Sequence, residues 1–290
     1  MNMHIFFHND LDGQGSGHVI HDATNKNIVM VTPSEEVKYH SIHYAARFPI
    51  EEIGKDERVW IVDFSIPVDD MQVLLERTTH VIWIDHHMTS IATYGGVRFP
   101  ALVDNIIPGM RVDGRAGCVL TYMYIHNCEY EDVPEYIRLI GDRDVWKFEY
   151  GQRTKDFCMG IGVLDLKPTS RDWEKAKLAI DHYIEVGSGI NMYLTNWYSS
   201  YNKSWGYETE FEGHTCFVVN GKFPADASDE ITKKYDIAIT TVYDGGVWTI
   251  TFYSRKEIDV SEIAKKYGGG GHFGAAGCTL KELPFMKKGS

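Results

Sequence analysis

The chain has 290 residues, enough for one large domain or two ordinary ones. Its 43% hydrophobic and 24% charged residues are typical of a soluble globular protein, and no apolar run approaches the about 20 residues of a membrane span. The formal net charge of −12 disfavours binding to long duplex DNA, which requires many phosphate-neutralising Lys and Arg side chains. A small phosphorylated substrate is compatible with this negative charge if metal ions neutralise its phosphates.

The cysteines and the N-terminus indicate the compartment. The five cysteines are odd in number, scattered and without a C-x-x-C pair, so neither a zinc knuckle nor a disulfide framework is indicated. The stretch MNMHIFFHNDLDG places no basic region ahead of an apolar run, which argues against a signal peptide. We therefore expect a cytoplasmic protein with no membrane partner.

In the first half of the chain, short apolar runs alternate with helical patterns. MHIFFH, IVMVTP, VWIVDFS and HVIWIDHH predict strands, while GSGHVIHDATNK and DDMQVLLERT predict helices. The strands are continuous apolar runs, which is typical of strands covered by helices on both faces. This order predicts an α/β fold with a mostly parallel sheet flanked by helices.

The pattern changes in the second half. AGCVLTYMYIHN, VPEYIRLIGDRDVWKF and residues 171–204 predict helices. HTCFVVN, IAITTVYD and VWTITFYS predict strands, DGG predicts a hairpin turn, and VSEIAKKY predicts a helix before four glycines. We expect a catalytic domain over 1–185, a helical linker over 186–206 and a smaller α/β domain over 207–290.

Polar clusters follow several of the predicted strands: HNDLDG, DFS and DHH. Open α/β sheets bind ligands at the carboxyl ends of their strands, so we expect these stretches to meet. In an extended backbone, His8, Asp10 and Asp12 would point to the same side, because side chains alternate with a period of two. With Asp63, His86 and an aspartate of GDRD, they form a set of four carboxylates and two imidazoles.

This donor set predicts a site for divalent cations. Mixed oxygen and nitrogen ligands fit Mn²⁺ or Mg²⁺ better than a thiolate-preferring ion. Four carboxylates balance two divalent ions in charge, and a two-metal site clamps both oxygens of a phosphoryl displacement. Each cluster alone also fits ordinary turn or helix-cap residues, but their shared position after apolar strands favours the metal site.

The ordered motifs HNDLDG, VDFS, IDHH, DRDVWKF and GGGGHFGAAG resemble those of the DHH phosphoesterase superfamily. The last motif resembles its DHH-associated C-terminal domain, and the nearest likeness is to the nano-RNase B type of oligoribonuclease. The resemblance covers nearly the whole chain. It implies a metal-binding DHH domain, a smaller substrate-binding domain and an active site in the cleft between them.

The resemblance also implies roles for the candidate ligands. His8, Asp10 and Asp63 would hold one ion. Asp12, Asp63, His86 and an aspartate of GDRDVW would hold the other, with Asp63 as the bridge. We expect two Mn²⁺ ions, with Mg²⁺ or Co²⁺ as alternatives.

GDRDVW offers two aspartates for the last ligand, Asp142 and Asp144. Family members often place the ligand four residues before an aromatic residue and two before a tryptophan. Asp144 has this relation to Phe148 and Trp146, so we prefer Asp144 and leave Asp142 as the alternative. By the same resemblance, Asp85 would orient a histidine ring and His87 would face the scissile phosphate.

The glycine stretch predicts a substrate contact. Gly268 could simply cap the preceding helix. Glycines also let backbone N–H groups approach an anion, and HFGAAG would open a helix whose N-terminus adds positive charge. The resemblance favours this phosphate-binding role for the following residues: Gly269, Gly270, Gly271 and His272.

Relatives commonly carry an arginine on the preceding strand, where this chain has Tyr253. Arg255, two residues further on, would supply the charge from a shifted position, or Tyr253 would stack on a base.

These features predict a metal-dependent phosphodiesterase that cleaves very short RNA or dinucleotides to 5′-mononucleotides. Hydrolysis of cyclic or linear signalling dinucleotides and a non-catalytic nucleotide-binding module are the alternatives. The physiological substrate, the cleavage polarity and the oligomeric state, including a homodimer, stay open.

Overall fold

The computed structural model describes residues 2–44, 46–223, 225–255 and 257–285. Within these ranges, the side chains of Ala225, Asp226 and His272 lie outside the description. The chain divides into two compact units, Met1–Asn191 and Met192–Ser290. Among the described residues, every helix is too short or too polar to cross a membrane.

The first unit contains a parallel sheet and the helices that flank it. Its strands are β1 (Asn2–His8), β2 (Glu36–Ile42), β3 (Arg58–Val62) and β4 (Val81–Ile84). Its helices are α1 (Leu11–Asn25), α2 (Val68–Arg77), α3 (Met88–Ala92), α4 (Gly117–His126), α5 (Glu135–Asp144), α6 (Gln152–Ile161) and α7 (Asp172–Leu178). The long helix α8 (Ile180–Trp205) begins in the first unit and ends in the second.

The sheet of the first unit has the strand order β2-β1-β3-β4, with all neighbours parallel. Met3, Ile5 and Phe7 of β1 face one side, where they pack with Ile20 of α1. Phe6 faces the other side and packs in the core that contains α2. Burial of both faces explains the continuous apolar strands, and the predicted α/β fold with a mostly parallel sheet is confirmed.

The predicted second strand is wrong. The run IVMVTP forms no strand, and Ile28 and Met30 are exposed. The second strand is β2, an edge strand that pairs only with β1 within the described sheet. Its sequence EVKYHSI alternates polar with apolar residues, since an edge strand is less buried than the central ones. The apolar-run criterion therefore missed it.

The second unit contains a mixed sheet with the order β5-β6-β7-β8-β10-β9. Its strands are β5 (Gly206–Phe211), β6 (His214–Asn220), β7 (Ile237–Tyr243), β8 (Trp248–Tyr253), β9 (Gly270–His272) and β10 (Ala275–Leu280). Its further helices are α9 (Asp229–Lys234) and α10 (Val260–Lys266). The strands predicted from HTCFVVN, IAITTVYD and VWTITFYS, and the helix predicted from VSEIAKKY, are confirmed.

The glycine stretch departs from prediction. HFGAAG opens no helix, because the chain forms the β9–β10 hairpin instead. Gly268 has φ +76° and follows the end of α10, as expected of a helix cap. A Cβ atom on Gly269 would lie 2.1 Å from the carbonyl oxygen of Gly277, and one on Gly271 would lie 2.5 Å from the Cα of Ala276. The close approach of β10 therefore requires glycine at both positions.

Candidate metal centre

The carboxyl ends of β1, β3 and β4 meet at one edge of the parallel sheet. The register pairs the last residues of β3 and β4 with each other, and β1 lies beside β3. His8 ends β1, Asp63 follows β3, and Asp85 with its two histidines follows β4. The strand order thus brings three distant sequence stretches together, as the motif positions predicted.

One group of candidate ligands surrounds His8. Its Nδ1 atom lies 2.6 Å from Oδ2 of Asp10 and 4.0 Å from Oδ2 of Asp63. One potential ligand atom from each of these residues lies within 4.8 Å of the others, which is close enough for a shared cation. Asp10 also caps α1, since its Oδ1 accepts a 2.9 Å hydrogen bond from the Gly13 N–H.

A second group surrounds His86. Its Nε2 atom lies 3.6 Å from Oδ2 of Asp12 and 3.3 Å from Oδ2 of Asp144. The same nitrogen lies 3.1 Å from Oδ1 of Asp63. The two oxygens of Asp63 therefore face different groups, with Oδ2 towards His8 and Oδ1 towards His86.

Asp12 reaches this group by a different route from the predicted one. The extended backbone ends at His8, and Asp12 lies in the first turn of α1. The predicted alternation of His8, Asp10 and Asp12 along one strand is therefore wrong. Asp12 accepts hydrogen bonds of 2.6 and 2.8 Å from the N–H groups of Gly117 and Cys118, at the start of α4. Helix α4 thus holds the carboxylate at the positive end of its dipole.

The backbone around Asp63 is crowded. Asp63 itself has φ +54°, a left-handed conformation that few non-glycine residues adopt. A Cβ atom on Gly117 would lie 2.5 Å from the Cβ of Asp63, so α4 can start at this place only with glycine. Backbone strain of this kind is stored at functional sites, where the surrounding structure maintains it.

The electrostatics of the two groups favour cations. Burial and the neighbouring charges of Asp12, Asp10 and Asp144 raise the pKa of Asp63 well above its ordinary value. Burial, followed by the charges of Asp12 and Asp10, raises the pKa of Asp144 to about 9. The buried Oδ2 of Asp63 has no hydrogen-bond partner among the described residues. Crowded, buried carboxylates with an imidazole are the donor set expected for a hard divalent ion, so these residues fit one.

The alternative ligand Asp142 has other partners. Its carboxylate accepts hydrogen bonds from the N–H groups of Glu149 and Tyr150, at 2.7 and 3.3 Å, and from the hydroxyl of Thr154. These bonds hold the turn between α5 and α6. Asp144, the last residue of α5, points its Oδ2 at His86 instead. The geometry supports Asp144 as the ligand.

Asp85 holds the two histidines that follow it. Its buried carboxylate accepts hydrogen bonds from the N–H groups of His86 and His87, at 2.8 and 3.2 Å, and from the Ser65 hydroxyl. Its Oδ1 lies 2.7 Å from Nδ1 of His87. Burial alone would lower the pKa of His87, but the hydrogen bond and charge of Asp85 outweigh burial and raise this pKa. His87 is therefore suited to donating a proton.

Tyr44 is a neighbour of the site that the sequence did not reveal. Its ring centroid lies 5.5 Å from that of His8, 5.8 Å from that of His87 and 4.6 Å from that of Phe64. Tyr44 and Phe64 also line a cavity of about 310 Å³ that includes Ser65. Tyr44 follows β2, the strand that the apolar pattern missed, so no local signal linked it to the site.

The predicted substrate residues of the second unit have structural partners there. Arg255 donates a 2.9 Å hydrogen bond from Nε to Oδ1 of Asp229. The hydroxyl of Tyr253 donates to the carbonyl oxygen of Phe223, at 3.3 Å. The backbone of His272 belongs to β9, and its predicted side-chain contact lies outside the described residues. Their contact with a substrate stays a prediction.

Comparison with known proteins identifies relatives. The family model for the DHHA1 domain matches residues 219–288. Oligoribonuclease NrnB of Bacillus subtilis (strain 168) is 24% identical over 310 positions, which cover 96% of this chain and 73% of NrnB.

Two solved structures are also similar. RecJ from Thermus thermophilus, in complex with Mn²⁺, has 14% identity and a TM-score of 0.52. The match covers 98% of this chain and 50% of RecJ, so this chain spans about half of that protein and shares its fold over this part. The pGpG-specific phosphodiesterase PggH from Vibrio cholerae has 11% identity and a TM-score of 0.46, with 97% of this chain and 93% of PggH covered.

Proposed function

We propose that this chain, which belongs to the DHH phosphoesterase superfamily and carries a DHHA1 domain, hydrolyses very short RNA oligonucleotides or dinucleotides to 5′-mononucleotides. The resemblance carried by the sequence motifs is confirmed by the DHHA1 match and the NrnB relative, and the chain is a DHH-type phosphodiesterase. The oligoribonuclease activity in the name of NrnB supports the substrate class.

The observation that carries the proposal is the position of Asp63. This buried carboxylate lies between two groups of ligands, and one of its oxygens lacks a partner among the described residues. We infer that one cation is held by His8, Asp10 and Asp63. Asp12, Asp63, His86 and Asp144 would hold a second cation.

Two divalent cations, with Mn²⁺ preferred, would supply an acidified water and neutralise the phosphate charge. Asp85 and His87 would then deliver a proton to the leaving oxygen. Asp85 holds the ring of His87 through Nδ1 and raises its pKa, which leaves Nε2 of His87 to protonate the leaving oxygen. Asp85 thus acts as a positioning residue and His87 as the general acid.

Two further features support a small nucleotide substrate. The cavity of about 310 Å³ beside Tyr44 and Phe64 offers aromatic walls next to the candidate centre, and a base can stack on such rings. The net charge of −12 leaves the chain without the excess of cations that long nucleic acids require. We place the reaction in the cytoplasm, since the five cysteines are free thiols.

Product analysis tests this proposal. RNAs of two to about ten nucleotides are incubated with the full chain and Mn²⁺, Mg²⁺ or Co²⁺, in parallel with cyclic dinucleotides. We expect 5′-mononucleotides from the short RNAs, little activity on longer ones, and none after chelation of the metal. Asp104→Asn, which alters an exposed carboxylate, serves as the matched control for Asp63→Asn.

The outcomes separate the alternatives. Turnover of cyclic dinucleotides alone would mean that these, and not short RNAs, are the substrates. Absence of turnover with all three metals would reject the proposed phosphodiesterase activity. Nucleotide binding that survives chelation without any turnover would support a non-catalytic module.

A further inference from the structure

A second cavity, of about 730 Å³, lies wholly within the second unit. It is lined by the C-terminal half of α8, the edge strand β5, strand β6 and helix α9. Its volume is within the range of small-molecule sites, about 300–1,000 Å³. Aromatic rings contribute much of its wall: Tyr198, Tyr207, Phe217 and Tyr235. These rings favour a ligand with a flat aromatic group.

The charged side chains of this cavity leave one cation unpaired. Glu208 lies 3.2 Å from Nζ of Lys234, and Glu230 forms an ion pair with Lys233. Both carboxylates are therefore neutralised by neighbours. Lys203, which also lines the cavity, forms no ion pair with any residue that the structure describes. The cavity consequently favours an anionic ligand.

Asn202 contributes an unsatisfied hydrogen-bond acceptor. Its Oδ1 atom is buried, and it accepts no hydrogen bond from the described part of the chain. Native structures leave few buried polar atoms without partners, and such an atom often indicates a ligand or water. Asn202 also lines the cavity, next to Lys203 in the sequence. Rotation of the amide would turn this oxygen into the cavity, where an N–H donor on the ring of a ligand would satisfy it.

We propose that this cavity binds a nucleoside monophosphate. The base lies among the rings, its N–H edge donates to the Asn202 amide after that side chain rotates, and the phosphate pairs with Lys203. A ligand of this class is also the product of the reaction proposed above, and the inference rests on that proposal only for the source of the ligand. Binding itself requires neither a metal nor hydrolysis.

Calorimetric titration of the full chain in EDTA tests this site, with AMP, adenosine and inorganic phosphate as probes. We expect AMP to bind more tightly than adenosine, and phosphate alone to bind weakly. Lys203→Ala should weaken AMP about tenfold and leave adenosine unchanged, because it removes one charge-assisted contact. Lys222→Ala removes the same charge from an exposed residue outside the cavity lining and should leave both affinities unchanged.

Two variants test the base contacts. Asn202→Ala should weaken AMP and adenosine alike, by about tenfold. Should that variant fail to fold, Tyr207→Ala tests the position of the base through a stacking contact instead, because the Tyr207 side chain is 42% exposed and its loss leaves the core intact. We expect about a fivefold loss for both probes, since stacking on an aromatic ring contributes to base affinity.

The inference is overturned if AMP does not bind in EDTA, or if its affinity is the same in the Lys203 and Tyr207 variants as in the unaltered chain. Turnover of short RNA without AMP binding would overturn this inference and leave the proposed function intact. AMP binding that depends on Lys203, without RNA turnover, would support this site and reject the proposed function.

Discussion

Two buried carboxylates of the first unit and three carboxylates of the second have pKa values that are shifted in opposite directions. In the first unit, burial and mutual repulsion raise the pKa values of Asp63 and Asp144. In the second unit, the pKa values of Glu208, Glu212 and Asp259 are lowered, because a neighbouring side chain donates a hydrogen bond to each of them. Repulsion thus dominates at Asp63 and Asp144, whereas each of these three glutamates and aspartates of the second unit has a hydrogen-bonding partner. Asp10 and Asp85 of the first unit resemble the second group, because hydrogen bonds from their neighbours lower their pKa values despite burial.

This contrast distinguishes carboxylates that serve the fold from carboxylates that are available to bind a cation. Surface carboxylates with partners stabilise a fold slightly and require nothing further. Buried carboxylates that repel one another are destabilising unless a proton or a cation joins them. We therefore expect cations to bind at the buried carboxylates of the first unit, and the following experiments test the contrast.

The largest effect is expected for Asp63→Asn. Its activity should fall at least about 10³-fold, since the variant loses the carboxylate shared by both ligand groups. The melting temperature of the metal-free variant should not fall, because the variant removes a buried carboxylate that is repelled by Asp12, Asp10 and Asp144. Hydrolysis assays and thermal melts in EDTA measure the two effects.

Asp259→Ala is the contrasting variant in the second unit. It removes the N-cap of α10 and should cost about 0.5–2 kcal/mol of stability while the turnover number stays unchanged. A metal-free Asp63→Asn protein that melts lower than the Asp259 variant would contradict the distinction between the units.

Asp85→Asn comes next, with an expected loss of about 10–100-fold in turnover. Asp85 raises the pKa of His87, so the variant should lower that pKa. If His87 acts as the acid, the rate falls as pH rises through its pKa, and this limb should shift to lower pH in the variant. A pH–rate profile measures the shift, and an unmoved limb would exclude the proposed positioning role.

Metal binding should change the pH dependence of stability. The folded-state pKa values of Asp63 and Asp144 are raised, so protons stabilise the metal-free protein. This contribution is fully present below the ordinary aspartate pKa of 3.8 and is lost as pH rises through about 9, the pKa of Asp144. Melting temperatures in EDTA should therefore decrease over this range.

Mn²⁺ should oppose this decrease, because the ion takes the place of the protons. The stabilisation by Mn²⁺ should be larger at pH 8 than at pH 6, by about 5 °C at saturating metal. An equal shift at both values would argue against cation binding at these carboxylates.

The glycine stretch offers a matched pair of variants. Gly271→Ala should cost about 1–3 kcal/mol, because its Cβ would meet β10 and the residue has φ +145°. A Cβ on Gly270 meets nothing within 4 Å, so Gly270→Ala should melt normally. If Gly270 contacts the substrate phosphate, the alanine variant should raise KM several-fold. An unchanged KM would restrict these glycines to a structural role.

Tyr44→Leu should have the smallest effect. We expect about a fivefold increase in KM for dinucleotides from the loss of stacking, and no change for a phosphodiester without bases, such as bis(p-nitrophenyl) phosphate. Tyr44→Phe, which keeps the ring, is the control. Equal effects on both substrates would mean that Tyr44 supports the histidine rings rather than a base.

The sequence correctly predicted which edge of the sheet carries the candidate centre, but it did not predict how each ligand is held there. His8, Asp63 and Asp85 were found because each follows an apolar strand, and parallel strands share one ligand-binding edge. Asp12 was assigned to the same site for a wrong reason. Its position depends on an early start of α1 and on the N–H groups of α4, more than 100 residues later in the chain.

The errors in the second strand and in the glycine hairpin have a common cause. IVMVTP is apolar but forms no ladder with the strands that the structure describes, whereas the more polar β2 lies beside β1. HFGAAG looked like a helix start, yet Ala275 and Ala276 pair with β9 and β8. Strand pairing is a long-range interaction, and local composition carries little information about the partner.

The sequence by itself determined the fold class and the candidate ligand types, because apolar runs and strand order are local properties of the chain. Only the tertiary structure decided which aspartate of GDRD faces His86 and which one holds the next turn. It also decided that Tyr44 lies beside the site and that Asp63 lies between two ligand groups, with its Oδ2 unpaired among the described residues. These outcomes depend on the packing of segments distant in sequence, where burial and mutual repulsion arise only after folding.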